Sequence, residues 1–177
     1  MAADVALDRA RRDLRRLDDV TFVLPDLEGA RRRADEVQHF YANWLVWARM
    51  VGVAIDSAGR AAGRPDGFKR WWASVGDDPA HAFFKASRNE ALKEVADLVA
   101  EAPLRLDTGE TRVFFAFDGS PFDGQPLVAR CQQYTEWLYD VCLAPAREQL
   151  WDYGRGCFLD GSQLGPRRVF WPARNLV

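Results

Sequence analysis

Arg88 and Asn89 lie in the stretch HAFFKASRNEALKE, with Lys85 one turn before them, His81 two turns before and Lys93 just beyond. A guanidinium offers a rigid fork of N–H donors that matches phosphate oxygens and offsets negative charge developing on them. An imidazole titrates near neutral pH, so it can move a proton to or from a hydroxyl or a leaving oxygen. Together these types suit the binding, or the metal-free cleavage, of a phosphodiester. Arg88, His81 and Lys93 are therefore the catalytic candidates, with Asn89 and Lys85 as candidates for holding a substrate. On a helix His81, Lys85 and Arg88 share one face. Such a stripe could meet its two-fold copy across a dimer and form a composite phosphate site. The plainer alternative makes His81 a first-turn surface residue and Arg88–Asn89 a buried polar pair tying helices together.

Other chemistry has less behind it. His39 and His81 are the only histidines, and neither has a cysteine or carboxylate at ligand spacing, so no metal and no cofactor is expected. His39 reads as a structural histidine. Glu36, Asp56, Asp77, Asp78 and Glu90 could serve as acids or metal ligands only if the fold brings them together. No glycine-rich phosphate loop is present. Ser120 lies in DGSPFDG, which reads as a turn rather than a nucleophile elbow. Cys131, Cys142 and Cys157 form no CxxC pair. The first two lie on one expected helix, too far apart along its axis to bridge, and read as small buried hydrophobes.

Charge narrows the partners. With 24 basic and 26 acidic residues the net charge is −2, which argues against strong sequence-independent binding of nucleic acid. The arginine-rich start is nearly cancelled by its aspartates. Asp8–Arg12, Arg9–Asp13 and Arg15–Asp19 fall at i,i+4 spacing, the pattern of a solvated, salt-bridged helix. No signal peptide and no long apolar run is evident, so a soluble cytoplasmic protein with no membrane partner is expected.

Helices must carry these residues. A charged helix is expected over 4–18, with Val5, Leu14 and Leu17 as its thin apolar side. Asp26 can cap a long helix from Leu27 to about Ala62, whose apolar positions, among them Val37, Tyr41, Trp44, Leu45, Ala48, Val51 and Ile55, recur at three- and four-residue steps. Gly63, Pro65 and Gly67 mark a loop before a short helix bearing Phe68, Trp71 and Trp72. Asp78 as N-cap and Pro79 at the first helical position open the next helix, which is expected to run to about Glu101. TRVFFAF, 111–117, reads as a strand, and RVFW, 168–171, as its candidate partner. A further helix begins at Pro126, passes Cys131, Tyr134, Leu138 and Cys142, and ends or bends at Pro145, with 146–153 a possible continuation. The fold class is mainly α: a helical bundle of antiparallel hairpins with a small β-hairpin appendage, one domain over 1–177. Trp44, Trp47, Trp71, Trp72, Phe83 and Phe84 are read as core, with one or two at an oligomer interface.

Residues 34–94 resemble HEPN-like bacterial proteins. The resemblance is carried by Tyr41, Trp44, Leu45 and Ala48 on the long helix, by Phe68–Lys69–Arg70–Trp71–Trp72 after the loop, and by Asp78 with Phe83 through Glu90. In that superfamily an Arg, followed four to six residues on by a His, forms a metal-independent ribonuclease site at a dimer interface. Carried over, the arginine is Arg88 and its polar neighbour Asn89. The histidine positions hold Lys93, Glu94 and Val95. A lysine with an ordinary pKa near ~10.4 is a poor general base at neutral pH. The resemblance thus implies a homodimeric HEPN-like protein with a degenerate ribonuclease motif, a binding or regulatory module in a defence or toxin–antitoxin setting. RNA, a nucleotide or another protein would be its partner. The alternatives are a divergent metal-independent ribonuclease or nucleotide-processing enzyme using Arg88 with His81 or Lys93, and a small-molecule or peptide pocket between the helices and strand 111–117.

Overall fold

The computed structural model describes residues 2–21, 27–91, 99–105, 111–117, 122–152 and 157–158. Helix α1 (Ala2–Thr21) is followed by the long α2 (Leu27–Ala61), the short α3 (Asp66–Gly76) and α4 (Pro79–Ala91). Strands β1 (Val99–Arg105) and β2 (Thr111–Phe117) come next, then α5 (Leu127–Trp137), a π-helical turn (Leu138–Leu143), α6 (Ala144–Leu150) and the two-residue strands β3 (Trp151–Asp152) and β4 (Cys157–Phe158). The fold is mainly α, a helical bundle with an antiparallel β-hairpin beside it.

The most extensive packing joins α1 to α2 along most of their length. Their antiparallel course is read from three contacts: Arg33 Nη1 donates to the Val20 carbonyl, Arg16 lies over Phe40 and Arg9 over Trp47. The buried stripe of α1 is Ala3, Ala6, Leu7, Ala10, Leu14 and Leu17, while Val5 is 55% exposed. Alanine supplies more of this face than the larger residues predict, because small side chains let α1 lie close against α2. The charges of α1 also differ from a merely solvated face. Arg9, Arg11 and Arg16 extend over Trp47, Tyr139 and Phe40 of neighbouring elements, and Asp4 pairs with Arg147 of α6. The guanidinium heads thereby lie over aromatic rings, and burial lowers the pKa of Arg11.

α2 buries Val37, Tyr41, Trp44, Leu45, Ala48, Val51 and Ile55, the stripe its periodicity predicts. α5, the π turn and α6 run as one bent rod against α1 and α2. Proline at 145 has no N–H to donate and its ring crowds the carbonyl four residues back. The chain answers by widening into a π turn: the Ala144 amide donates to Tyr139, five residues back, and the helix continues to Leu150 instead of stopping. Cys131 and Cys142 are fully buried free thiols, and burial pushes Cys131 up and Cys142 to about 12. They are inert packing groups.

The strand at 111–117 is present, and one of its partners is a segment the sequence did not single out. β2 pairs with β1 in the register Val99↔Phe117 to Arg105↔Thr111; residues 168–171 lie outside the described residues. The helix expected to reach Glu101 is described only to Ala91, and Val99–Arg105 is strand. Among the described residues this sheet has two strands, so Pro103 lies on an edge strand, where a missing N–H costs little. Phe115 and Phe117 are buried, and Phe117 meets Tyr41, Phe83, Phe84 and Phe122. Rings thus join β2 to α2, α4 and the segment before α5. Among the described residues no helix is long and apolar enough to cross a membrane.

Candidate functional site

Asp78 sets the start of α4. Its Oδ1 accepts from the amides of Ala80 (2.9 Å) and His81 (3.0 Å), a cap worth about 1 kcal/mol, and Pro79 occupies the first helical position. From there the helix turns His81, Phe84 and Ser87 inward, and Lys85 and Ala82 outward. Phe84 meets Trp44 edge-on at 5.1 Å and lies 4.4 Å from Tyr134 between ring centroids. Trp44 in turn donates from Nε1 to Thr135 Oγ1 (3.0 Å), and that hydroxyl donates to the Cys131 carbonyl (2.7 Å). The buried Trp44 indole and Thr135 hydroxyl, where α2 meets α5, thus have partners, as a low-dielectric interior requires.

His81 belongs to the same junction. It is 7% exposed, and its Nδ1 lies 2.8 Å from the Tyr134 hydroxyl. Trp137 lies against the ring at 5.6 Å between centroids. On the other side runs α2: a Cβ added to Gly52 would come within 3.9 Å of His81 Cε1, 3.7 Å of Trp72 and 3.4 Å of Arg49 Nη1. Burial lowers the His81 pKa, the charges of Arg49 and Lys85 lower it further, and Asp78 opposes them. The ring is neutral near pH 7, with the Tyr134 hydroxyl placed to donate to Nδ1. Burial also holds Tyr134 firmly as the phenol. Both readings of His81 from the sequence needed it at the surface, in a phosphate stripe or as a bland polar residue. The structure turns it inward, because position 81 shares a helix face with Phe84 and Tyr134 reaches it from α5.

The other candidates separate. Lys85 is exposed, and Arg88 is half-buried in the last turn of α4 with its Nε enclosed by protein. A cation there is favoured by the negative end of the helix dipole. The side chain of Asn89, and Lys93 altogether, lie outside the described residues. His81 and Lys85 are close enough for their charges to interact, but one faces the core and the other water. His39, read as structural, is exposed, with Nε2 3.0 Å from Asn43 Nδ2. Among the described residues no three of His, Cys, Asp and Glu gather as a cation site.

Sequence reasoning missed Tyr134 and Arg49 as the neighbours of His81. The usable signal for Tyr134 was its place on the inward stripe Cys131, Tyr134, Leu138, since a phenol in an apolar face needs a polar partner. Arg49 carried no such signal. No family model, no curated protein and no solved structure matches the chain.

Proposed function

We propose that this chain is a HEPN-like helical module of the cytoplasm that binds or regulates as a homodimer and does not cleave RNA. The observation that carries the non-catalytic part is the position of His81. An imidazole turned inward, neutral and engaged with Tyr134, is poorly placed to exchange protons with a phosphodiester outside. Lys85 and the outer part of Arg88 remain as cations on the α4 side, able to hold a phosphate or an acidic protein surface without transferring a proton. The HEPN-like build is supported by the motif order over 34–94 and by the antiparallel packing of α4 on α2, in which Phe84 meets Trp44 and His81 lies over Gly52. The dimer and the defence or toxin–antitoxin setting come from the resemblance alone.

Incubating the purified protein with structured and single-stranded RNAs tests this. No cleavage is expected from the wild type, and light scattering should give twice the chain mass. Cleavage that disappears in Arg88→Ala would overturn the reading and favour the divergent ribonuclease.

A further inference from the structure

The turn between α2 and α3 gathers cations around an open hollow. Arg60, Gly63, Arg64 and Lys69 line a depression of about 550 Å³. Three of the four lining residues are cationic and none is acidic. The carboxylates that pair with these cations stand outside the lining. Asp56 accepts from Arg60 Nε (3.0 Å) and Nη2 (2.5 Å) and from Arg64 Nη2 (2.6 Å). Asp66 pairs with Lys69 at 3.1 Å, but its side chain is 83% exposed, so that pair is weak.

The turn is built to stay in this shape. Gly63 and Arg64 are both left-handed, with φ of +74° and +47°, and for an arginine that conformation costs about 1–2 kcal/mol. Two backbone bonds hold it, Gly63 N–H to the Arg60 carbonyl (3.0 Å) and Arg64 N–H to the Gly59 carbonyl (2.7 Å). Behind them Phe68 presses on Gly59 so closely that a Cβ there would lie 2.2 Å from a ring carbon. Packing thus fixes the turn from behind while a single carboxylate orients two guanidiniums. Each guanidinium has five N–H donors, and the pairing with Asp56 engages two of them on Arg60 and one on Arg64. Two carboxylates, Asp56 and the exposed Asp66, against three lining cations leave the hollow a net positive charge, whose potential favours an anion.

We propose that this hollow is a phosphate site, in which Arg60 and Arg64 grip the oxygens of a phosphate dianion and Lys69 adds a third charge. The dianion is either inorganic phosphate or the terminal phosphate of a small monoester such as a nucleotide. The hollow is open to solvent, which leaves room for the organic part of a monoester on that side. The site is separate from the α4 face and stands whether or not the HEPN-like reading holds.

Calorimetry on the full chain at constant ionic strength tests it with four probes: inorganic phosphate, adenosine monophosphate, adenosine, and a short single-stranded RNA without terminal phosphate. Saturable binding of the first two and none of adenosine is expected. Equal affinities assign the site to phosphate alone, whereas tighter binding of the nucleotide assigns it to a monoester. Lys69→Gln and Arg60→Gln should each weaken binding about tenfold or more, and Arg12→Gln on the exposed side of α1 should leave it unchanged. Lys69 is exposed, so its variant folds and keeps the test decisive if Arg60→Gln does not. Failure of both phosphate probes to saturate, unchanged affinity in Lys69→Gln, or tighter binding of the RNA than of the monophosphate would each overturn the proposal.

Discussion

Two regions place basic side chains beside aromatic rings and do opposite things with them. At the junction of α2, α4 and α5, His81 is packed against Tyr134, Trp137 and α2 at Gly52, and Arg49 and Lys85 press its pKa downward. At the α2–α3 turn, Phe68 lies behind the backbone and Arg60, Arg64 and Lys69 stand around open space. In the first region the rings surround the titratable group and make it structural. In the second they brace the turn from behind and leave the charges to solvent. Residue type alone does not separate these cases; what lies on the far side of each group does.

The largest expected effect tests how far the first region acts as one packed unit. Trp44 is fully buried, meets Tyr41, Phe84 and Tyr134, and donates to Thr135. Trp44→Ala should cost about 3–5 kcal/mol through the cavity it leaves, with a further penalty for Thr135. Chemical denaturation with an unchanged m-value would measure it. A loss below about 1 kcal/mol would mean that the junction is loosely packed and that His81 is less sealed than the geometry shows.

A smaller loss is expected at the second region, where one atom tests the bracing. Gly59→Ala places a methyl against Phe68, whose ring is 1% exposed and has little room to move. Overpacking of this kind costs about 1–3 kcal/mol. Combining it with Phe68→Leu should recover part of the loss, a coupling that a double-mutant cycle reads directly. If the two changes were simply additive, the turn would not be braced by this contact.

Part of this contrast was legible in the sequence and part was not. α2, α3, the capped start of α4 and strand 111–117 could be read because each is dictated locally, by a helical stripe, by Asp78–Pro79 or by the run of β-branched and aromatic residues in TRVFFAF. The end of α4 could not. Val99–Arg105 (VAEAPLR) has no strong preference of its own, and pairing with β2 decides its conformation. The inward turn of His81 depends on Tyr134, 53 residues later, a contact that no local pattern encodes. Gly63 and Pro65 marked the α2–α3 turn, yet its cation cluster depends on Asp56 reaching forward from α2 to Arg64. That carboxylate reads from the sequence only as a candidate acid or metal ligand.

The smallest effect separates a sealed imidazole from an accessible one. Tyr134→Phe removes the hydroxyl at His81 Nδ1 and leaves a buried ring nitrogen without that partner, a loss of about 1–3 kcal/mol. The pH dependence is more specific. The pKa of His81 in the folded protein lies below its ordinary 6.5, because burial and the charges of Arg49 and Lys85 outweigh Asp78. The unfolded chain therefore binds a proton at His81 before the folded one does, and stability must fall as pH drops through about 6.5. His81→Asn should flatten that decline in the unfolding midpoint, and nuclear magnetic resonance of the imidazole should find it titrating below the ordinary histidine value of 6.5. A His81 that titrated at or above that ordinary value would place the ring in contact with water, and with it would go the physical reason for treating α4 as a face that binds without catalysing.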